Sequence, residues 1–295
     1  MSHTLRMVAL GTVFLPTLPP EGLRDVARAA DDAGLEQLWL WEDCFEAGGV
    51  SAAAAVLAWT ERLQVGVGVL PVPLRSVALT AMEVATLHRL FPGRLHLGIG
   101  HGVQSWMHQA GVGVESPMTL LEEYAAALRA LLAGDEVTVE GRYVTLDRVR
   151  LHWPPAEPPP LLAGAQGPRS LRLCGQVADG TVLVAGTSPD GVRAARRLVD
   201  EGRAAVGRTD PHPLTVYLLA ATGPGAEQRA EANLPSWSSP GEDVVAVGDA
   251  HAVADAVLRW VDAGADTVVL QPTADDPDPH GFVRFVAQEV RPLVS

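Results

Sequence analysis

Residues 94–104 have the sequence RLHLGIGHGVQ, in which a strand pattern ends in closely spaced glycines. Leu95, Leu97 and Ile99 alternate with other residues, as in a half-buried strand. The glycines at 98, 100 and 102 do not fit the G-x-G-x-x-G pattern of dinucleotide sites, because the third comes one residue early. The stretch therefore predicts a strand whose carboxyl end brings backbone close to a ligand by another arrangement.

The same strand pattern recurs along the chain and alternates with helical patterns. We expect strands at residues 7–13, 36–41, 63–70, 94–99, 160–163, 181–184, 214–220 and 265–270. Eight such βα units are typical of an α/β fold of the (β/α)8 TIM-barrel type. A doubly wound sheet is the alternative, but it needs fewer strands and carries its phosphate-binding turn after the first of them. We therefore predict one barrel domain over residues 1–295.

Two segments interrupt the alternation. An insertion is predicted at about 135–160, where VTVEGRYVTL indicates a hairpin turning at Glu140 and Gly141 and WPPAEPPP follows it. A second, irregular segment is expected at about 222–248, which is rich in Pro, Ser and Gly between 233 and 241. Both are expected to be carried by the barrel scaffold.

The charge of the chain limits its partners. The formal net charge is −13, and the 22 basic residues are all Arg. Nucleic acids and anionic membranes need a dense basic surface, so neither is an expected partner. The lack of Lys excludes a Schiff-base or P-loop lysine. An anionic ligand would have to be held locally.

The cysteines and the N-terminus bear on compartment and metals. Cys44 and Cys174 lie far apart without C-x-x-C spacing, which indicates neither a disulfide framework nor a zinc site. No histidines recur at ligand spacing, so we expect no metal. The N-terminal apolar run is too short for a signal peptide, and no run of 18 apolar residues occurs. A cytoplasmic location is expected.

In a barrel the functional residues lie at the carboxyl ends of the strands. Reading these ends gives the candidate site residues Thr12, Trp41, Glu42, Asp43, Gly68, Val69, Gly100, His101, Gly102, Gln104, Gly164, Ala165, Gln166 and Gly167. Glu42, Asp43 and His101 are the candidates for catalysis, by transferring a proton or contacting the substrate. Solvated loop acids and a surface histidine are the alternative interpretation.

The glycine-rich turns have two interpretations as well. Alternate glycines in LQVGVGVL, residues 63–70, would either make room for a neighbouring helix or let a flat ligand approach bare backbone. The turn AGAQGP precedes a helix that starts at Pro168, and its backbone N–H groups with the helix dipole would form an anion site. Arg169 and Arg172 could add charge there.

Four phrases, taken in order, resemble a known family. They are AGLEQLWLWED (33–43), the segment from VGVGVLPVPLRS to GRLHLGIG (65–100), PPLLAGAQGP (159–168) and ADGTVLV (178–184). The chain resembles the luciferase-like monooxygenase superfamily over nearly its whole length, and is most similar to the branch that uses the deazaflavin coenzyme F420. The resemblance implies a (β/α)8 barrel, usually dimeric, with F420 or flavin mononucleotide (FMN) bound at the carboxyl face.

The resemblance also implies roles for particular residues. A cis peptide bond between Gly68 and Val69 would form a backstop behind the cofactor ring, and the turns 98–104 and 163–168 would contact ring, ribityl chain or phosphate. Two departures matter. Many deazaflavin members have Asp-His where this chain has Glu42 and Asp43, and sugar-phosphate dehydrogenases of the branch carry an acid where this chain has Val103. The substrate and proton donor therefore cannot be taken from those relatives.

From these observations we expect an oxidoreductase that transfers a hydride between F420 and a small organic substrate, working as a homodimer. Two alternatives stay open. One is a monooxygenase that uses reduced FMN and oxygen, and the other is a non-catalytic barrel that binds a flavin-like ligand.

Overall fold

The computed structural model describes residues 8–236, 238 and 243–294. Within them, eight parallel strands close into a barrel, because the last strand pairs with the first. In barrel order the strands are β1 (Ala9–Phe14), β2 (Gln37–Leu40), β3 (Gln64–Pro71), β4 (Leu95–Gly100), β7 (Leu161–Gly164), β8 (Gly180–Leu183), β9 (Leu214–Ala221) and β11 (Thr267–Pro272). The predicted (β/α)8 fold is confirmed.

Helices surround the barrel. They are α1 (Leu23–Ala33), α2 (Gly49–Trp59), α3 (Val77–Leu90), α4 (Gln104–Gln109), α5 (Pro117–Leu132), α6 (Pro168–Val177), α7 (Pro189–Ala205), α8 (Ala226–Ala232), α9 (Ala250–Asp262) and α10 (Pro279–Phe285). Four of these helices begin at a side-chain N-cap, since Ser76, Ser116, Ser188 and Asp249 each accept a hydrogen bond from a backbone N–H in the first turn. The last helix, α10, is short, and a π turn at Val286–Val290 follows it.

The two interruptions differ from each other in structure. The insertion is an antiparallel hairpin of β5 (Val137–Glu140) and β6 (Thr145–Val149), as predicted. It connects α5 to β7, and its turn packs beside the start of α5, where the Tyr143 hydroxyl accepts from the Ser116 backbone N–H and Glu123 accepts from the backbone N–H groups of Tyr143 and Val144. The segment predicted as irregular contains α8 and the short strand β10 (Val245–Val247), which pairs with the end of β9. Residues 237 and 239–242 of this segment lie outside the described residues.

The barrel has a packed interior. Trp39, Tyr217, Val13, Leu162, Val182 and Val269 form an apolar cluster inside it, while the outward faces of the strands pack against the helices. A Cβ on Gly66 would lie 2.2 Å from the Trp39 ring. The glycine at 66 therefore makes room for a tryptophan inside the barrel, which is neither of the two interpretations considered from sequence.

Below Trp39 the interior is polar. The Trp39 indole N–H donates to Gln37 at 2.9 Å, and the ring stacks on His96. His96 in turn lies 2.8 Å from the Gln64 side-chain oxygen. Polar groups at the amino end are thus paired with one another. Within the described part of the chain, no helix combines the length and apolarity needed to cross a bilayer.

Candidate active site

A bulge in β3 shapes the carboxyl end of the barrel. The register between β3 and β4 shifts between Val67 and Leu70, and the Gly68–Val69 peptide bond in between is cis, as the resemblance implies. A second non-prolyl cis bond joins Cys44 to Phe45. The bulge directs Val69 into the barrel mouth.

Three glycines receive the Val69 side chain. A Cβ at Gly98, Gly100 or Gly164 would lie 3.0, 2.7 or 2.9 Å from a Val69 methyl group. These distances leave no room for any larger residue. The glycines that end β4 are therefore needed to accommodate the Val69 side chain of the bulge. They would affect a bound ligand only indirectly, through the position of Val69.

Aromatic side chains form the wall beside the bulge. Tyr217 on β9 is buried, its hydroxyl donates to the Gly68 carbonyl at 3.3 Å, and the Trp41 ring meets it edge to face at 5.3 Å. Burial raises the pKa of Tyr217, so its phenol keeps its proton at neutral pH. The wall is thus apolar and rigid, and it ties the bulge to the far side of the barrel.

The predicted acid pair separates into two different environments. The buried Glu42 carboxylate accepts from both terminal nitrogens of Arg75, at 2.8 and 3.2 Å, and from the Gly49 backbone N–H at 2.7 Å. These bonds fix Glu42 to the start of α2 and to Arg75. Its carboxylate is fully engaged and is poorly suited to proton transfer.

Asp43 is half-buried, and its carboxylate has no hydrogen bond or ion pair to any described residue. Burial, together with the nearby charge of Glu46, raises the pKa of Asp43 to about 6. Asp43 follows Trp41 of the aromatic wall by two residues, and its negative charge contributes to the raised pKa of Tyr217. An acid poised in this way can take up or release a proton near neutral pH.

The turn after β4 holds the two predicted polar residues of that strand end. His101 is partly exposed, but its Nε2 is buried without a partner among the described residues. Burial lowers the pKa of His101, so the ring is neutral at pH 7. The Gln104 amide donates to the carbonyls of His101 and Gly102, at 3.3 and 3.2 Å, and so stabilises the turn itself.

The turn after β7 ends in a helix N-terminus that has no side-chain cap. Gly167 is the N-cap of the ten-residue helix α6 and Pro168 occupies its first turn. Gly164, Ala165 and Gln166 precede them, and Gln166 is exposed. Backbone N–H groups of this turn can hold an anion. Of the two predicted cations, Arg169 is exposed and Arg172 pairs with Glu201.

The prediction for Thr12 is corrected by the structure. Its neighbours across the sheet, Leu38 and Leu270, belong to the outer core, whereas Val13 belongs to the interior cluster. Thr12 therefore points into the helical layer. Successive residues of a strand point to opposite faces, so Thr12 points outward because its neighbour Val13 points into the barrel.

Two residues of the mouth were missed from sequence, namely Tyr217 and Gln271. Both lie on predicted strands, Tyr217 within β9 and Gln271 near the end of β11, whereas the candidate residues come from the ends of the first five barrel strands. Gln271 comes two residues after the interior Val269, so it faces inward. A polar residue that closes the apolar run TVVL is the signal that could have identified it.

A sequence model described as luciferase-like monooxygenase matches residues 7–244. The chain belongs to the luciferase-like monooxygenase family. Curated relatives include a 5,10-methylenetetrahydromethanopterin reductase of Methanolobus tindarius, 31% identical over 72% of this chain and 64% of the relative. An F420-dependent glucose-6-phosphate dehydrogenase of Nakamurella multipartita is 31% identical over 62% and 61%. The matches thus span less than two thirds of these relatives.

Solved structures of similar shape show the luciferase-like fold over nearly the whole chain. The coenzyme F420-dependent tetrahydromethanopterin reductase of Methanopyrus kandleri has a TM-score of 0.83 at 22% identity, covering 98% of this chain and 99% of that one. An F420-dependent secondary alcohol dehydrogenase has a TM-score of 0.86 at 19% identity, with the same coverage. The FMN-bound oxygenating constituent of 3,6-diketocamphane monooxygenase from Pseudomonas putida reaches 0.78 at 16%, covering 97% and 98%.

Proposed function

We propose that this protein is an oxidoreductase that transfers a hydride between coenzyme F420 and a small organic substrate. The observation that carries the proposal is the half-buried, unpaired Asp43 carboxylate at a mouth built from the Val69 bulge and the aromatic wall. The relatives named for F420 support the choice of cofactor.

The mouth fits a flat cofactor with a phosphate. The Val69 bulge would lie behind the ring, since Gly98, Gly100 and Gly164 seat it firmly. The uncapped N-terminus of α6 would hold the phosphate, and the turn that Gln104 stabilises would lie beside the ribityl chain. When bound, the deazaflavin supplies a carbon that accepts or gives up a hydride.

Asp43 supplies the proton chemistry. When a hydride leaves the carbon of an alcohol, the hydroxyl proton has to leave as well, and an ionised Asp43 would accept it. In the reverse direction the protonated carboxyl would return a proton to the carbonyl oxygen. Tyr217 and Trp41 would exclude water and hold the substrate in place. Hydride transfer needs the donor and acceptor carbons roughly 3–3.5 Å apart.

Titration of the apo-protein with F420 and with FMN, each oxidised and reduced, tests the proposal. We expect saturable binding of F420. Addition of an oxidisable or reducible substrate should then change the absorbance of F420 as the cofactor is reduced or oxidised. Binding of reduced FMN with oxygen consumption, and no response to F420, would contradict the proposal in favour of the monooxygenase. Binding of F420 or FMN without turnover of any substrate would favour the non-catalytic barrel.

We also propose a homodimer in the cytoplasm. Helix α2, of sequence GVSAAAAVLAW, has almost no polar side chain on any face, and on α3 Met82 is 58% and Leu90 65% exposed. Such apolar surface on a soluble domain supports contact with a second copy. The two free cysteines, Cys44 and Cys174, support a reducing compartment.

A further inference from the structure

Besides His101 Nε2, two buried polar atoms that face the barrel interior at the mouth lack a hydrogen-bond partner among the described residues. They are the side-chain oxygen of Gln271 on β11 and the indole N–H of Trp41 just after β2, which faces the Tyr217 hydroxyl without reaching hydrogen-bond geometry. Each residue comes two positions after a member of the interior cluster, Val269 or Trp39. Each therefore faces the barrel interior on the carboxyl side of that cluster member.

We propose that Gln271 and Trp41 recognise an uncharged polar group of the substrate, such as a hydroxyl or carbonyl, and that the protein selects uncharged over phosphorylated substrates. This inference rests on the proposed function. Buried polar atoms in folded proteins nearly always have a partner. An indole N–H can only donate and an amide can do both, so together they match an oxygen that accepts or a hydroxyl that also donates.

The position of the two residues suits the substrate better than the cofactor. The Val69 bulge projects from β3 toward Gly100 and Gly164, on the β4 and β7 side of the mouth. Gln271 lies on β11 and Trp41 directly after β2, the two strands that flank β1, and their backbones are roughly 12 Å apart at two strand spacings and two residues of offset. A ring resting on Val69 would turn its open face toward Gln271 and Trp41, where a molecule of a few carbon atoms fits.

The charges near the wall disfavour an anion. Arg75, which follows β3, is bonded to Glu42 and lies 3.8 Å from Glu83, so its charge is already compensated. The charged side chain beside the aromatic wall is the Asp43 carboxylate, which repels a phosphate once it is ionised. Among the described residues, Gln271 and Trp41 thus offer hydrogen bonds to a substrate without an uncompensated cation beside them.

Nuclear magnetic resonance of protein labelled with ¹⁵N at tryptophan tests this directly. The Trp41 indole N–H signal is assigned by its loss in Trp41→Phe, and cyclohexanone and glucose 6-phosphate serve as the uncharged and the anionic probe. We expect cyclohexanone to shift the Trp41 signal in a saturable way and glucose 6-phosphate to leave it unchanged. In Gln271→Met, which keeps the side-chain length, cyclohexanone should bind roughly three- to tenfold more weakly.

Gln288→Met is the matched control, because Gln288 is exposed on the C-terminal segment and the same chemical change there should leave both results as in the wild type. Equal cyclohexanone affinity in Gln271→Met and the wild type, or a Trp41 shift caused by glucose 6-phosphate alone, would overturn the inference. F420 is titrated separately into the same samples. A wild type that ignores F420 but binds cyclohexanone through Gln271 would refute the proposed function and leave the recognition by Gln271 standing.

Discussion

Among single residues, Glu42 and Asp43 show that two acids adjacent in sequence can have different environments in the structure. Both are acids at one strand end, yet Glu42 is held by Arg75 and Gly49 while Asp43 has no partner among the described residues. Which of the two would be free depends on a guanidinium 33 residues away in sequence. The pair could be predicted from the sequence as a candidate, but the division of roles could not.

The raised pKa of Asp43 predicts the pH dependence of turnover. Oxidation of an alcohol needs the ionised carboxylate as proton acceptor, so its kcat should rise with pH through about 6, and kcat for the reverse reduction should fall over the same interval. Asp43→Asn should abolish this pH-dependent limb of the kcat profile and lower kcat by roughly 100-fold or more, with F420 affinity little changed. Initial rates between about pH 5 and about pH 8 measure both effects.

Glu46→Gln provides the control for this prediction. The negative charge of Glu46 contributes to the raised pKa of Asp43, so its removal should retain the limb and move it to lower pH. A limb near pH 6 that persists in Asp43→Asn would assign the titration to another group and remove Asp43 from the proton transfer.

At the scale of elements, the glycines of β3 and β4 are shaped by side chains from other strands. Gly66 faces Trp39 of β2, and Gly98 and Gly100 face Val69 of the bulge. The glycine pattern predicted the approach of a helix or a ligand, whereas the groups that approach these glycines are side chains of neighbouring strands. These side chains come from strands whose register is fixed only when the barrel closes.

Substitution of Gly66 by Ala should destabilise the fold. The added methyl group would lie 2.2 Å from the Trp39 ring, and neither strand can move without breaking barrel pairing. We expect the free energy of unfolding to fall by about 2 kcal/mol or more. Denaturant unfolding followed by circular dichroism measures this change.

Gly22→Ala is the comparison, because a Cβ there meets nothing within 4 Å and the backbone has an ordinary helical φ of −75°. It should leave stability within about 0.5 kcal/mol of the wild type. Equal stability of the two variants would show that Trp39 repacks easily and that Gly66 is not required for its size.

At the scale of the whole molecule, the order of strands and helices was predictable because each amphipathic unit is encoded locally. The eight strands, the insertion hairpin and the helix caps follow from periodicity and capping residues. Helix α8 and strand β10 escaped because they span only seven and three residues. The inward direction of Gln271 was not evident because the run VVL before it is apolar throughout, so the sequence does not show which of its alternating positions face the barrel interior.

The exposed apolar face of α2 and α3 predicts the assembly. A charge introduced at Met82, which is 58% exposed on α3, would have to be buried without a partner if this face pairs with a second copy. We expect Met82→Glu to shift the protein from dimer to monomer in sedimentation velocity. Leu258→Glu alters a side chain that is also exposed, on α9, and should leave the dimer intact. A wild type that sediments as a monomer would refute the homodimer.

The aromatic core beneath the mouth restricts how such a protein can evolve. Trp39, Tyr217 and Val269 fill the barrel below the site, and the glycines around them fit those side chains closely. Selection for a bulkier substrate cannot hollow out this interior without loss of the fold. New specificities must therefore arise in the loops that follow β2, β4 and β7, where residues can be exchanged, inserted or lost at little cost to folding. The scaffold and its substrate range can thus diverge at different rates.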